Sequence, residues 1–267
     1  MPNSPPIVVV FAASDPTCGA GLQADLLTLA AHGCHAGTVV TALTVQDTHG
    51  VRRLEPVEAS WVEQQGRAIL DEMPVAAFKL GVLASAQNVA SIARLLALHP
   101  EAPVVLDPVL ASGRGEPLGG DAVLEAMRAE LLPRTMVLTP NSLEARRLAG
   151  HAPDADLAVC ARRLLQLGAR YVLVTGTHEA STDVVNTLYG AQGALRTDRW
   201  PRLAASYHGS GCTLASAIAA QLALGRALPE AVHAAQEYTW KSLEAGFRPG
   251  SGQWIPDRLH ALRRRAP

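Results

Sequence analysis

Aromatic side chains make up only 4% of this 267-residue chain and charged ones 18%, while hydrophobic residues reach 48%. With few rings to fill space, a core must come from Ala, Leu and Val, which favours close packing of helices on a sheet. The net charge of −1 excludes the general electrostatic attraction on which nucleic-acid binding depends. Arg263-Arg264-Arg265 is too short to change that and reads as a solvated tail. The four cysteines, Cys18, Cys34, Cys160 and Cys212, form no C-x-x-C pair and no metal-type spacing with histidine, so no zinc site is expected. No run approaches the roughly 20 apolar residues of a membrane span. The apolar run Ile7–Ala13 has no positive charge before it and ends at Asp15-Pro16, unlike a secretory leader. The expectation is a soluble, cytoplasmic protein with reduced thiols and neither membrane nor nucleic-acid partners.

What the chain has in quantity is alternation. Ile7–Ala13, Gly37–Val45, Ala77–Leu80, Val104–Asp107, Thr135–Thr139 and Tyr171–Thr175 are short, continuous apolar runs, as strands covered on both faces should be. Between them, Ala20–His32, Ser60–Asp71, Asn88–Leu98, Asp121–Leu132, Ser142–Ala149 and Asp156–Leu167 read as helices. Val184–Leu188 and Gly193–Thr197 read as a hairpin at the sheet edge. Leu214–Leu224, Glu230–Ala245 and Asp257–Arg264 read as a helical tail. No linker or internal repeat interrupts residues 1–267, so one three-layer α/β domain is expected, with a mostly parallel sheet and helices on both faces. Ligands of such folds bind beyond the carboxyl ends of the strands. Polar residues fall at those ends: Ser14-Asp15, Gln46-Asp47, Lys79, Asp107, Thr139-Asn141 and Thr175-His178.

The most informative stretch is His208-Gly209-Ser210-Gly211-Cys212-Thr213, which runs directly into an apolar helix. Bare backbone N–H groups and the positive end of a helix dipole there converge on one point, a natural seat for a phosphate or an oxyanion. On the first turn Cys212 is expected to have its thiol pKa lowered. The competing reading makes Cys212 a small buried hydrophobe behind an ordinary glycine-rich helix start.

Other positions are double-edged. The turn from Ala13 to Asp25 carries Gly19 and Gly21 but lacks the third glycine and distant acid of a dinucleotide fingerprint, leaving substrate contact or a plain tight turn. Gln46 offers a donor and an acceptor side by side, suited to an aminopyrimidine edge, or else simply faces water. Asp107 can hold a metal or position a hydroxyl, and Asp-Pro is also ordinary turn chemistry. Asn141 and Glu144 have the spacing of a capping box. The same spacing would aim an amide and a carboxylate at a magnesium ion and its waters.

In this order the segments resemble the hydroxymethylpyrimidine/phosphomethylpyrimidine kinases of thiamine biosynthesis, within the ribokinase-like superfamily. The resemblance runs through Ser14-Asp15-Pro16, Gly19 to Asp25, Thr41 to Thr48, Lys79 to Leu83, Leu106 to Val109, Thr139-Pro140-Asn141 and His208 to Thr213. It implies a ribokinase-like fold, ATP and Mg²⁺ as co-substrates, and two successive phosphorylations of 4-amino-5-hydroxymethyl-2-methylpyrimidine. It also implies that Gln46 reads the aminopyrimidine, with Ala13, Ala20, Asp25 and Val109 around it. Cys212 would be the base, and Gly209, Ser210 and Gly211 the anion hole. Asp107 and Glu144 would face the metal, with Asn141, Thr175, Gly176 and Arg114 on the nucleotide side. A homodimer is the implied assembly.

The chain departs from the pattern in places. Ala13 and Cys18 stand where glycines are usual, and Ser210 where Thr is. Two lysines are missing, one from the loop Ala111-Ser112-Gly113-Arg114 and one from Thr175-Gly176-Thr177-His178; Arg114 is a candidate substitute for the first. Pyridoxal kinase of the same branch, and a catalytically impaired pyrimidine-binding relative, are the rival readings.

Overall fold

The computed structural model describes residues 4–111 and 118–263. Its strands are β1 (Ile7–Ser14), β2 (His35–Asp47), β3 (Gly50–Pro56), β4 (Val75–Leu80), β5 (Val104–Leu106), β6 (Val137–Leu138), β7 (Tyr171–Val174), β8 (Asp183–Gly190) and β9 (Gly193–Pro201). The helices are α1 (Gly21–Ala31), α2 (Ala59–Leu70), α3 (Ala86–Leu96), α4 (Asp121–Ala126), α5 (Ser142–Ala149), α6 (Leu157–Gln166), α7 (Ser210–Ala223), α8 (Leu228–Glu244) and α9 (His260–Arg263).

The strands form one sheet in the order β3-β2-β1-β4-β5-β6-β7-β8-β9. From β2 to β7 neighbours run parallel, while β3 at one edge and the β8–β9 hairpin at the other are antiparallel. Side chains of β1 alternate between two cores. Val9 and Phe11 pack with α2, α3, α5 and α6, whereas Val8, Val10 and Ala12 pack with α1, α7 and α8. Burial on both faces leaves the strands no polar side, which is why their sequences are continuous rather than alternating. In α7 the alanines 215, 217, 219 and 220 are fully buried, and their small side chains let this helix lie close beneath the sheet.

The chain leaves β1 for β2 and β3, then returns to place β4 on the other side of β1. Such a reversal opens a crevice at the carboxyl ends of the diverging strands. The sequence pattern misses β3, whose residues are half-exposed or exposed and so carry no buried stripe. The helix expected over Asp121–Leu132 is α-helical only to Ala126. It then widens to a π turn (Met127–Leu131) and tightens to a 3₁₀ turn (Leu132–Arg134), where Pro133 has no N–H for an α-helical ladder. The final helix begins at His260 rather than Asp257.

Candidate active site

A cavity of about 390 Å³ lies across the carboxyl ends of the strands. The β1–β2 side contributes Ala13, Asp15, Ala20, Thr44 and Gln46, and the β7–β9 side contributes Thr175, His178, Val184, Asn186, Trp200 and Arg202. Between them stand Asp107, Val109, Asn141 and Glu144, facing Gly209, Ser210, Gly211 and Cys212 at the start of α7. Val109 has φ +24°, an unusual conformation for a β-branched residue, at the middle of this wall.

Gly209 has φ +82°, and a Cβ there would lie 1.9 Å from the Gly19 carbonyl oxygen. Only glycine permits the two turns to touch. Thr213 N–H and its hydroxyl both bond the Gly209 carbonyl, at 3.0 and 2.8 Å, so α7 winds immediately from this residue. Its first N–H groups have no partner within the helix and open toward the cavity.

Cys212 corrects the expectation of a lowered thiol pKa. The residue is 9% exposed, and burial, with Asp107 and Asp25 adding to it against Lys79, pushes the thiol from 9.0 up to about 12. A helix terminus supplies about 0.3–1 kcal/mol, less than one pH unit at about 1.4 kcal/mol per unit. Burial wins.

Asp107 and Glu144 work against each other. Burial pushes Asp107 up to about 6, against the pull of Lys79. Burial and the Asp107 charge push Glu144 up to about 7. The capping box is real: Asn141 Oδ1 accepts from Glu144 N–H at 2.9 Å, and Glu144 Oε2 accepts from Asn141 N–H at 3.0 Å. Glu144 Oε1 also accepts from Leu110 N–H at 3.2 Å. Asp107 Oδ2, by contrast, is buried with no hydrogen-bond partner among the described residues. An orphaned carboxylate oxygen beside a second strained carboxyl fits a divalent cation, whose charge would relieve both. Among the described residues no cluster of three acidic, His or Cys groups could enclose a metal. The two carboxylates alone would not fill the shell of a divalent cation.

On the opposite side, Gln46 turns inward rather than to water. His208 Nε2 lies 2.6 Å from Gln46 Nε2 and 2.8 Å from Asp15 Oδ2. Although burial opposes it, hydrogen bonds from His208, Thr17 and Ala20 hold the Asp15 carboxyl below its ordinary value. An ionised Asp15 needs the hydrogen on His208 Nε2, which then cannot accept from an amide N–H. Gln46 accordingly presents Oε1 to His208 and its NH₂ elsewhere, a half-turn of an amide whose two ends are alike in shape.

Some expected site residues lie elsewhere. Asp25, expected at the substrate, is wholly buried; its carboxylate is bonded to Lys79 and accepts from the Ser216 hydroxyl at 2.7 Å. Its position on α1 points into the core that α1 shares with α7. Lys79 is likewise beneath the strand ends rather than at the rim. Burial alone would push its ammonium down, but Asp25, Cys212 and Asp107 hold it above its ordinary value. Gly176, expected at the nucleotide, is outside this cavity. Its N–H bonds Asn186 Oδ1 at 3.1 Å, and a Cβ would strike the Val185 carbonyl at 2.4 Å, so its small size serves packing on β8. Arg114 lies outside the described residues. Sequence reasoning missed Trp200, Trp240, Gln236 and Arg202, which reach the cavity from β9, α8 and the loop after β9. Arg202 donates to the carbonyls of Gly176, Thr177, Glu179 and Ser181, tying down the loop after β7.

A helix start with open N–H groups facing acidic groups across a pocket of small-molecule size suits phosphoryl transfer, and the class is that of a kinase. The comparisons agree. The sequence model described as phosphomethylpyrimidine kinase matches residues 15–257. A hydroxymethylpyrimidine/phosphomethylpyrimidine kinase of Streptomyces coelicolor is 41% identical over 267 residues, covering 98% of this chain and 97% of that protein. The structure of a Bacillus subtilis pyridoxal kinase in complex with ADP superposes with a TM-score of 0.88 over 97% of this chain and 99% of the other, at 28% identity. A Clostridium difficile phosphomethylpyrimidine kinase gives a TM-score of 0.75 over 90% and 99%, at 32% identity. The chain belongs to the phosphomethylpyrimidine kinase family, and its fold is ribokinase-like.

Proposed function

We propose that this kinase transfers the γ-phosphoryl group of ATP to the hydroxymethyl group of 4-amino-5-hydroxymethyl-2-methylpyrimidine, and then phosphorylates the monophosphate, for thiamine synthesis. The observation that carries this is the meeting of Gln46, the Gly209–Cys212 helix start and the Asp107/Glu144 pair on one cavity. The Gln46 amide NH₂ donates to a ring nitrogen, and Ala13, Ala20 and Val109 supply apolar walls. The N–H groups from Gly209 to Cys212 hold the migrating phosphoryl oxygens, where charge accumulates. Asn141 and Thr175 border the nucleotide side. Asp107 and Glu144 are the groups to hold Mg²⁺, which when bound supplies charge neutralisation on the phosphates.

In the transfer, the hydroxymethyl oxygen forms a bond to the γ-phosphorus as the bond to the ADP oxygen breaks. The displaced hydroxyl proton goes to Cys212 Sγ in its thiolate form. With a thiol at about 12, only about 10⁻⁵ of the empty protein is thiolate at pH 7. Only that thiolate fraction can take the proton, and neutralising Asp107 enlarges it by removing one of the charges that hold the thiol up.

All four cysteines are free, and no described helix is long and apolar enough to cross a membrane. A single kinase unit fits the family model, which matches residues 15–257. Leu43 and Val45 are each 56% exposed and lie two apart on β2, an apolar strip that supports pairing of two copies; light scattering of the purified protein measures the mass.

The test of function is product mass after incubation with ATP, Mg²⁺ and the pyrimidine alcohol. A mono- and then a diphosphate are expected, and an unchanged alcohol overturns the reading. Pyridoxal is the second candidate acceptor, on the likeness to the Bacillus subtilis enzyme; competition between the two alcohols ranks them.

A further inference from the structure

Arg258 stands on the chain segment between α8 and α9, far in sequence from the turns after β1 and before α7. It is 3% exposed. Its Nε donates to Thr213 Oγ1 at 3.0 Å and its Nη1 to the Cys18 carbonyl at 3.2 Å. Its Nη2 donates to the carbonyls of Gly19 at 2.5 Å and Gly209 at 3.4 Å. One planar fork thus spans the turn after β1 and the turn that opens α7, the two walls that the proposed reaction brings together. The arginine is itself anchored, since its carbonyl accepts from Tyr238 Oη at 2.7 Å and Asp257 N–H donates to the Ser242 carbonyl at 2.8 Å, both on α8.

Among the described residues no carboxylate is bonded to this guanidinium, which is an expensive way to tie two loops together. Apolar side chains would do so at lower cost, so a guanidinium here calls for a role that needs donors. Planar peptides supply one. In a trans peptide the C=O of one residue and the N–H of the next point in opposite directions. Holding the Gly209 carbonyl to the rear therefore aims the Ser210 N–H forward, into the cavity. Holding the Gly19 carbonyl aims the Ala20 N–H at Asp15 Oδ2, which it meets at 2.8 Å, and Asp15 in turn holds His208 and so Gln46. The same cation acts on the phosphoryl side and the ring side at once.

We infer that Arg258 is a positioning residue that fixes the separation between the ring-binding turn and the phosphoryl-binding turn. This rests on the assignment of those two turns under the proposed function. A misplacement of about 1 Å between reactants can cost on the order of 100-fold in rate, so the loss should fall on kcat rather than on binding of either substrate.

The experiment compares Arg258→Ala, Arg258→Lys and Thr213→Val with the wild type, well below each protein's melting temperature, in kcat and in KM for ATP and for the pyrimidine alcohol. Arg258→Ala is expected to lose on the order of 100-fold in kcat, with both KM values within about threefold. Guanidinium ion at millimolar concentration should restore part of the rate, and methylammonium should not. Lysine, a point charge, cannot span four oxygens, so Arg258→Lys should remain impaired. Thr213→Val removes one leg of the fork, together with the hydroxyl's own bond to the Gly209 carbonyl, without changing volume and should lower kcat by about threefold to tenfold; partial rescue of Arg258→Ala by guanidinium separates the two bonds, and unchanged kcat in Thr213→Val decides against the inference if the Arg258 variants do not fold. Wild-type kcat in the folded Arg258 variants or in Thr213→Val overturns the inference, as does equal rescue by both cations. An unchanged pyrimidine alcohol after incubation of the wild type with ATP and Mg²⁺ would instead defeat the proposed function, and the inference with it. Phosphorylated alcohol from the wild type beside normal Arg258 variants defeats the inference alone.

Discussion

Lys79 Nζ stands 2.9 Å from each carboxylate oxygen of Asp25, with neither side chain exposed to solvent. The pair sits close enough to Cys212 and Asp107 for both to act on the lysine. A buried ion pair gives little net stability over an apolar replacement, but removing one partner leaves a charge without compensation.

Lys79→Met should therefore destabilise the protein by about 3–5 kcal/mol, and Lys79→Met with Asp25→Leu should recover most of that. Urea unfolding of both variants measures the difference. Equal loss in the single and double variants would mean that packing, not charge, matters at this position. The double variant should still lose activity, because the positive charge behind Cys212 is gone.

A second expectation concerns the ring. Gln46→Ala leaves the donor and acceptor positions of the ring edge unpaired and should weaken binding of the pyrimidine alcohol by about 1–3 kcal/mol. Binding of ATP should be unaffected, since Gln46 stands on the β1–β2 side of the cavity. Titration calorimetry with each ligand checks both halves; undiminished alcohol affinity would remove Gln46 from recognition.

The strands were legible because sheet burial writes itself as continuous apolar runs, and the hairpin of β8 and β9 because a turn splits two such runs. The Asn141/Glu144 spacing announced a capping box, and the fold places that same box against the cavity. Neither reading had to exclude the other. Lys79 misled because a polar residue near a strand's end resembles a rim residue. Its face is set by strand parity, with Ala77 in one core and Phe78 and Leu80 in the other, and its partner lies 54 residues away. Arg202 and Arg258 gave no signal, because each acts on carbonyls of remote turns and carbonyls have no sequence signature. The thiol of Cys212 was misjudged for a related reason: a helix start can be read from glycines, whereas burial depends on what packs above it.

The two facing carboxyls make stability depend on pH. Folding raises Asp107 from 3.8 to about 6 and Glu144 from 4.5 to about 7. Between the unfolded and folded values the folded chain holds protons that the unfolded chain has released, so stability falls as pH rises. The contribution is complete below about pH 4 and lost by about pH 7, and the coupled groups titrate as a pair. Without metal or nucleotide, the melting temperature should drop from pH 5 to pH 7.5, and Glu144→Gln, which keeps a capping-box residue, should flatten that drop. Mg²⁺ with ATP should stabilise the wild type more at pH 7.5 than at pH 5. A wild-type profile no steeper than that of Glu144→Gln would show that the carboxyls do not repel each other.

Cys212 yields the sharpest test of mechanism. Removing a positioned base typically costs about 10²–10⁴ in rate, so Cys212→Ala should lower kcat at least about tenfold while ATP still binds. Because burial raises the thiol toward 12, its thiolate fraction grows with each pH unit above neutrality. If the sulfur takes the proton, kcat should climb from pH 6.5 to pH 9 without a plateau, and Cys212→Ala should erase that climb. Cys212→Asp offers a carboxylate in the same place, whose ionisation lies far lower even after burial. It should keep more activity than alanine and shift the rise to lower pH. A flat wild-type profile, or identical profiles for cysteine and alanine, would assign proton removal elsewhere and leave residue 212 only its backbone N–H.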